Sequence, residues 1–187
     1  GLLRRHQLDR YAASLNVSPS FLDDHVQLEL NTRFVHTDNF FADQGAIWAS
    51  AQFDPTKPIL SGDTAYGGYY ETLFAAGGNA GRPIPLAIRN PLGLIEQKED
   101  VSDVNRFIGN ARVTYNTHFL DGLKAVVNVG TDMVNSNGTV LIPHTAASNF
   151  QNGGYQTQYD MEKSNQLIEG FLNYSNADQA GDHRLDL

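Results

Sequence analysis

Between Asn105 and Leu123 the chain alternates apolar and polar positions almost without a break, stops at Phe-Leu-Asp-Gly, and then alternates again. Phe107, Gly109, Ala111, Val113, Tyr115, Thr117 and Phe119 share one parity; Asn110, Arg112, Thr114, Asn116 and His118 share the other, with Ile108 the apolar exception. Successive side chains of a strand point to opposite faces, so a period of two predicts strand and not amphipathic helix. A near copy of the unit lies upstream at Phe-Leu-Asp-Asp, residues 21–24, where Val26, Leu28, Leu30 and Phe34 alternate with Gln27, Glu29, Asn31 and Arg33. After Phe-Leu-Asp-Gly, Leu123, Ala125, Val127 and Val129 oppose Lys124, Val126, Asn128 and Gly130. Tyr11, Ala13, Leu15 and Val17 near the start, and Ile168, Gly170, Leu172 and Tyr174 near the end, form two further apolar rows.

These rows predict strands at about 3–16, 24–36, 104–119, 122–132 and 163–175, with a sixth beginning in His183-Arg-Leu-Asp-Leu after the polar turn Asn-Ala-Asp-Gln-Ala-Gly-Asp. The fold class is therefore all-β: an antiparallel up-and-down meander of about six strands. Alternation disappears over 37–103, which holds Gly67-Gly68, Gly77-Gly78 and prolines at 55, 58, 83, 85 and 91. Two short helical pieces fit within it, DQGAIWASAQF before Pro55 and PLGLIEQ after Asn90. A second irregular stretch, 133–162, is rich in Asn, Gly, Ser and Gln.

Connections thus run short, very long, short, long, short. In a meander, successive connections fall at opposite ends of the sheet, so the short ones collect at one end and the long ones at the other. Short periplasmic turns and long extracellular loops are the pattern of an outer-membrane barrel. Such strands need roughly 9–11 residues to cross a bilayer, more than the roughly 5–6 of an ordinary soluble strand. On this reading Phe-Leu-Asp-Asp and Phe-Leu-Asp-Gly are periplasmic turns, Phe21 and Phe119 belong to the lower aromatic girdle, and Phe34 lies nearer the upper rim. The whole of 1–187 is expected to be one barrel segment, with 37–103 and 133–162 as surface loops.

Composition narrows the alternatives. A net charge of −8 with scattered basic residues speaks against a nucleic-acid role. The absence of cysteine removes disulfide scaffolds and thiolate metal sites. No window approaches eighteen consecutive apolar residues, which excludes a membrane-spanning helix but not a membrane barrel.

Specific residues then carry a likeness. RYAASLNVSPSFLDDHVQLELNTRF, AIWASAQFDPTKPI, Asn90-Pro91-Leu92, NRFIGNARVTYNTHFLDGLKAVVNVGTD, EKSNQLIEGFLNY and HRLDL occur in an order and at a spacing that resemble the barrel portion of SusC/RagA-type TonB-dependent outer-membrane transporters. The resemblance implies a barrel of about 22 strands around an internal plug. It further implies import of glycans, peptides or other large nutrients, driven through TonB. The resemblance also implies a SusD-like surface lipoprotein capping the assembly, in the outer membrane of a Gram-negative, Bacteroidetes-like bacterium. About six strands and no recognisable plug mark the sequence as a fragment of such a protein. The fragment alone, with unpaired edges and a lipid-type face, is expected to associate with itself or to be covered by 37–103.

Chemistry is thin by comparison. The histidines at 6, 25, 36, 118, 144 and 183 show no HxH or HExxH spacing, so no metal site is assigned. TDMVNSNG fails the calcium-loop register, and GGNAG lacks the strand and helix of a dinucleotide cradle. There is no G-x-S-x-G, and Asp23-Asp24 and Glu99-Asp100 read as turn and loop residues. Asn-x-Ser/Thr triplets at Asn16 and Asn137 carry no weight outside a glycosylating pathway. No catalytic, cofactor-binding or metal residue is assigned, and no enzymatic activity is expected. The informative residues are aromatic: Trp48, Tyr66, Tyr69, Tyr70, Phe74, Phe150, Tyr155 and Tyr159 fall in or near the long connections. Their rings can stack on sugars or pack the loops together; the sequence assigns no individual substrate-binding residue. The competing class is a soluble β-sandwich adhesin or carbohydrate-binding module, which would bury the apolar rows against a second sheet.

Overall fold

A computed structural model describes residues 3–175. Its strands are β1 (Gln7–Val17), β2 (Ser20–Phe21), β3 (Val26–Phe40), β4 (Glu99–Asn116), β5 (Leu123–Ile142) and β6 (Tyr155–Tyr174). They form one sheet in the order β1-β3-β4-β5-β6, with the two-residue β2 pairing antiparallel to the start of β3. The all-β meander is therefore present. Its sixth strand is β2; the expected strand in His183–Leu187 and the turn before it lie outside the described residues.

Four of the strands are longer than alternation predicts, whereas β1, expected from about residue 3, begins only at Gln7. Alternation ends the second long strand at 36 and the one after Phe-Leu-Asp-Gly at 132. β3 instead continues to Phe40, β4 begins at Glu99, β5 continues to Ile142 and β6 begins at Tyr155. Within the extensions, Thr37-Asp-Asn and Asn135-Ser-Asn-Gly-Thr carry no apolar parity. Ladder hydrogen bonds join backbone groups and do not require an alternating pattern, so strand persists where the sequence signal has gone. The non-strand connections shrink accordingly, to 41–98 and 143–154, from the expected 37–103 and 133–162.

The chain divides into two compact units. Among the described residues, the strand unit takes in 10–36, 104–136 and 161–175. Its two faces follow parity. On one, Asn110 Nδ2 donates to Asn128 Oδ1 at 2.8 Å, and Asn128 Nδ2 donates to Glu169 Oε2 at 3.2 Å, a polar rung crossing β4, β5 and β6. Two rungs along, Arg106 grips Asp132 with Nε and Nη2 at 2.9 and 2.7 Å. The odd residues of β4 and β5 turn the other way, and there Val113, Val127, Val129, Ile168 and Leu172 are exposed by 40, 48, 45, 78 and 69%. Tyr11 of β1 stacks with His36 of β3 at 6.3 Å, continuing the same parity toward the β1 edge.

The two Phe-Leu-Asp turns are neighbours, as the meander requires. Each closes with the same bond, Leu22 C=O accepting from His25 N–H at 3.1 Å and Leu120 C=O from Leu123 N–H at 3.2 Å. Asp24 and Gly122 occupy the same turn position with φ of +67° and +81°; aspartate is among the few residues that tolerate this region. Asn116 N–H donates to His25 C=O at 2.7 Å, Asn116 Nδ2 donates to Asp24 C=O at 3.1 Å, and the His25 and His118 rings stack at 3.7 Å.

Candidate functional site: an aromatic cleft built by the long connections

The second unit comprises the residues up to Asp9, 37–103 and 137–160, and holds two short α-helices, α1 (Gly45–Gln52) and α2 (Pro91–Glu96). Both coincide with the helical pieces read from sequence. The start of α2 organises what surrounds it. Asn90 is fully buried, and its Oδ1 accepts from the N–H groups of Leu92 and Gly93 at 3.0 and 3.1 Å, the capping role for which Asn is favoured; Pro91 occupies the first helical position, where its missing N–H costs nothing. The same side chain donates Nδ2 to the carbonyls of Ile59 and Tyr70 at 2.7 and 3.2 Å, so one amide joins the helix to two passing loop segments.

Next to it, Glu71 accepts the Asn90 N–H at 3.1 Å and faces Arg89 Nη1 at 3.5 Å. Burial pushes the Glu71 carboxyl above its ordinary value, and the Asn90 N–H and the Arg89 charge offset part of that shift. Arg89 in turn lies 5.7 Å from the Phe150 ring centroid, within cation–π reach, and Phe150 meets Tyr66 edge-on at 6.5 Å. This Glu71–Arg89–Phe150–Tyr66 series joins the two long connections.

Beside it opens a cleft of about 590 Å³. Tyr66, Phe74 and Phe150 are its aromatic walls, Pro83 and Pro85 stiffen its side, and Asn79, Arg82, His144 and Gln151 supply its polar groups. A tight reversal places Phe74 next to Arg82. Phe74 N–H donates to Arg82 C=O at 2.9 Å, Gly81 N–H returns to Phe74 C=O at 2.9 Å, and Gly77 and Gly81 take φ of +86° and +79°, a region open to glycine. Tyr66 is itself left-handed, with φ +53° and ψ +35°, uncommon for a bulky residue. Two bonds hold it there: its hydroxyl donates to Gly81 C=O at 3.0 Å, and its own carbonyl accepts from Gln97 Nε2 at 3.2 Å. A second cavity of the same unit, about 460 Å³, is lined by Asp9, Asp38 and Asp103 and so has the opposite electrostatic character.

The structure separates the aromatic residues singled out from the sequence. Tyr69 packs against Gly93 and Tyr70 meets Phe53 edge-on at 6.3 Å, both as loop packing. Tyr159 lies over Gly138 of β5. Tyr66, Phe74 and Phe150 come together in the cleft, while Trp48 is exposed on α1 and Tyr155 is exposed at the start of β6. Of the histidines, His144 lines the cleft, His25 and His118 stack at the turns, His36 bonds Asn105 at 2.9 Å, His6 lies 6.1 Å from Phe41, and His183 is outside the described residues. Sequence reasoning missed Asn79 and Arg82 as cleft residues. The available signal was the glycine-flanked GGNAGR reversal, which brings Arg82 back to Phe74.

No family model matches the chain. It is 30% identical over 183 residues to the TonB-dependent receptor SusC of Bacteroides thetaiotaomicron, an alignment covering 92% of this chain and 18% of that receptor. The chain is SusC-like. The likeness read from its motifs is thus found over almost the whole sequence, and the six-stranded meander accords with a segment of a β-barrel receptor. The chain spans about a fifth of the length of that SusC.

Proposed function

We propose that this chain is a barrel segment of a TonB-dependent transporter in the outer membrane of a Bacteroidetes-like bacterium, importing glycans or other large nutrients alongside a SusD-like lipoprotein. The single observation that carries the reading is the strand unit's apolar face, exposed on long strands that back onto a polar face of bonded Asn, Arg, Asp and Glu side chains. A soluble sandwich would bury that row beneath a second sheet. Strands β3 to β6 are 15, 18, 20 and 20 residues long, well above the roughly 9–11 a bilayer needs. On this reading the odd residues of β4 and β5 face lipid, the Asn110–Asn128–Glu169 rung faces the lumen, the Phe-Leu-Asp turns lie at the periplasmic rim, and the long connections form surface loops. Neighbouring strands of the parent barrel pair the edges of β1 and β6; on its own the segment self-associates through those edges or through its apolar face.

The test is fractionation of cells expressing the full-length gene product with an internal epitope, combined with growth on candidate glycans with and without TonB. Outer-membrane location, heat-modifiable gel migration and TonB-dependent growth are expected. Recovery as a detergent-free soluble protein would overturn the proposal in favour of the sandwich module.

A further inference from the structure

We infer that the cleft formed by Tyr66, Phe74 and Phe150 takes a sugar ring bearing a carboxylate, that is, a uronic-acid unit of an acidic glycan; this deepens the transporter reading and rests on it. Three features of the cleft converge. Its walls are three half-buried aromatic rings, the surface on which the apolar face of a pyranose stacks. Its volume, about 590 Å³, is within the roughly 300–1,000 Å³ of small-molecule sites. Its charge is the telling feature. In a chain of net charge −8, none of the residues lining this cleft is Asp or Glu, and Arg82 is the charged group that lines it.

Arg82 is exposed, and its backbone is bound into the glycine reversal through Phe74, so the guanidinium starts from a fixed point beside an aromatic wall. A guanidinium offers paired N–H donors that match a carboxylate bidentately, stronger and more directional than bonds to a neutral hydroxyl. Asn79 and His144 supply further polar groups for ring hydroxyls. Tyr66 provides the independent sign of a ligand wall. A bulky residue in the left-handed region carries backbone strain, and such outliers collect at ligand clamps. Here bonds from both its hydroxyl and its carbonyl hold the ring at the cleft. Arg89 lies behind Phe150 and is engaged with Glu71, which leaves Arg82 to meet the ligand.

The experiment is titration calorimetry on the full-length protein in detergent with three probes: an oligogalacturonate, the matching neutral galactose oligomer, and benzoate as a carboxylate on a flat ring. The oligogalacturonate should bind at least about tenfold more tightly than the neutral oligomer, the difference expected of one charge-assisted bidentate contact. Benzoate should bind more weakly than the oligogalacturonate. Arg82→Gln should abolish the preference for the charged oligomer over the neutral one, and Arg82→Lys should restore part of it. The proposal is overturned by equal affinity for charged and neutral oligomers, by benzoate matching the oligogalacturonate, or by a preference that survives Arg82→Gln. Arg82 is exposed, so these variants are expected to fold, and circular dichroism checks that they do. If the neutral oligomer is imported in a TonB-dependent way with no preference for acid, the cleft inference fails while the transporter reading stands.

Discussion

Asn90 ties the start of α2 to two passing loop segments through four side-chain hydrogen bonds. Replacing it with alanine removes the cap on Leu92 and Gly93, a loss of about 1 kcal/mol. It also removes the two bonds that Nδ2 donates to Ile59 and Tyr70, each with a net contribution of about 1 kcal/mol. Ile59 C=O keeps a second partner in the Tyr70 N–H at 3.0 Å, which limits the penalty there. The total is about 3 kcal/mol, which corresponds to faster opening of the loop unit by on the order of a hundredfold. The assay is amide hydrogen exchange on the full-length protein, read at Leu94 and Gln97, whose N–H groups bond Asn90 C=O and Gly93 C=O at 3.0 and 3.1 Å within α2. Asn90→Ser restores a capping oxygen but not the two donors, so it should recover about a third of the loss. Protection at Leu94 and Gln97 that changes less than about threefold in Asn90→Ala would refute the reasoning. So would a serine variant that exchanges as fast as the alanine one, since the cap would then contribute nothing of its own.

Three further outcomes are expected. The raised Glu71 carboxyl binds its proton more tightly folded than unfolded, so its contribution to stability is highest at acid pH and is lost as pH rises from the ordinary glutamate value through the folded one; Glu71→Gln should remove that slope from loop-unit exchange measured between pH 4 and 7, and an unchanged slope would assign it to another group. A Cβ at Gly122 would collide with the backbone of Ser175, and its φ is +81°, whereas Gly77 has φ +86° with open space around it; Gly122→Ala should therefore lower the unfolding midpoint in denaturant clearly more than Gly77→Ala, whose cost is backbone strain alone, about 1 kcal/mol, and equal midpoints would show that the collision relaxes freely. In the proposed membrane setting, Val127→Arg places a charge on the lipid face at about 2–4 kcal/mol near the midplane, and it should reduce folded protein in the outer-membrane fraction. Asn128→Arg, one position along and beside Glu169, should be tolerated; similar loss in both would mean that the faces are misassigned.

Parity along the strands was legible without coordinates. Alternation from Phe107 to Phe119 and from Leu123 to Val129 assigned Asn110 and Asn128 to one face and Val113 and Val127 to the other, because a strand's side-chain period is two whatever it pairs with. The repeated Phe-Leu-Asp unit likewise marked two turns, and the structure closes them with equivalent bonds and sets them side by side. Helices α1 and α2 were legible from their flanking prolines and the Asn90-Pro91 start. The ends of the strands were not. Residues 37–40, 99–103, 133–142 and 155–162 are strand because neighbouring backbones bond there, and backbone pairing leaves no mark on the order of side chains.

The cleft was the least legible part. Tyr66, Phe74 and Phe150 could be named as ring-bearing loop residues, but nothing in their order distinguishes them from Tyr69 and Tyr70, which pack inward. That division rests on contacts between residues far apart in sequence. Arg89 engages both Glu71 and Phe150, Asn90 gathers Ile59 and Tyr70, and Tyr66 reaches Gly81. Local pattern determines which way a side chain points from its own strand; which side chains meet across a long loop depends on closing that loop, and only the tertiary fold specifies how it closes.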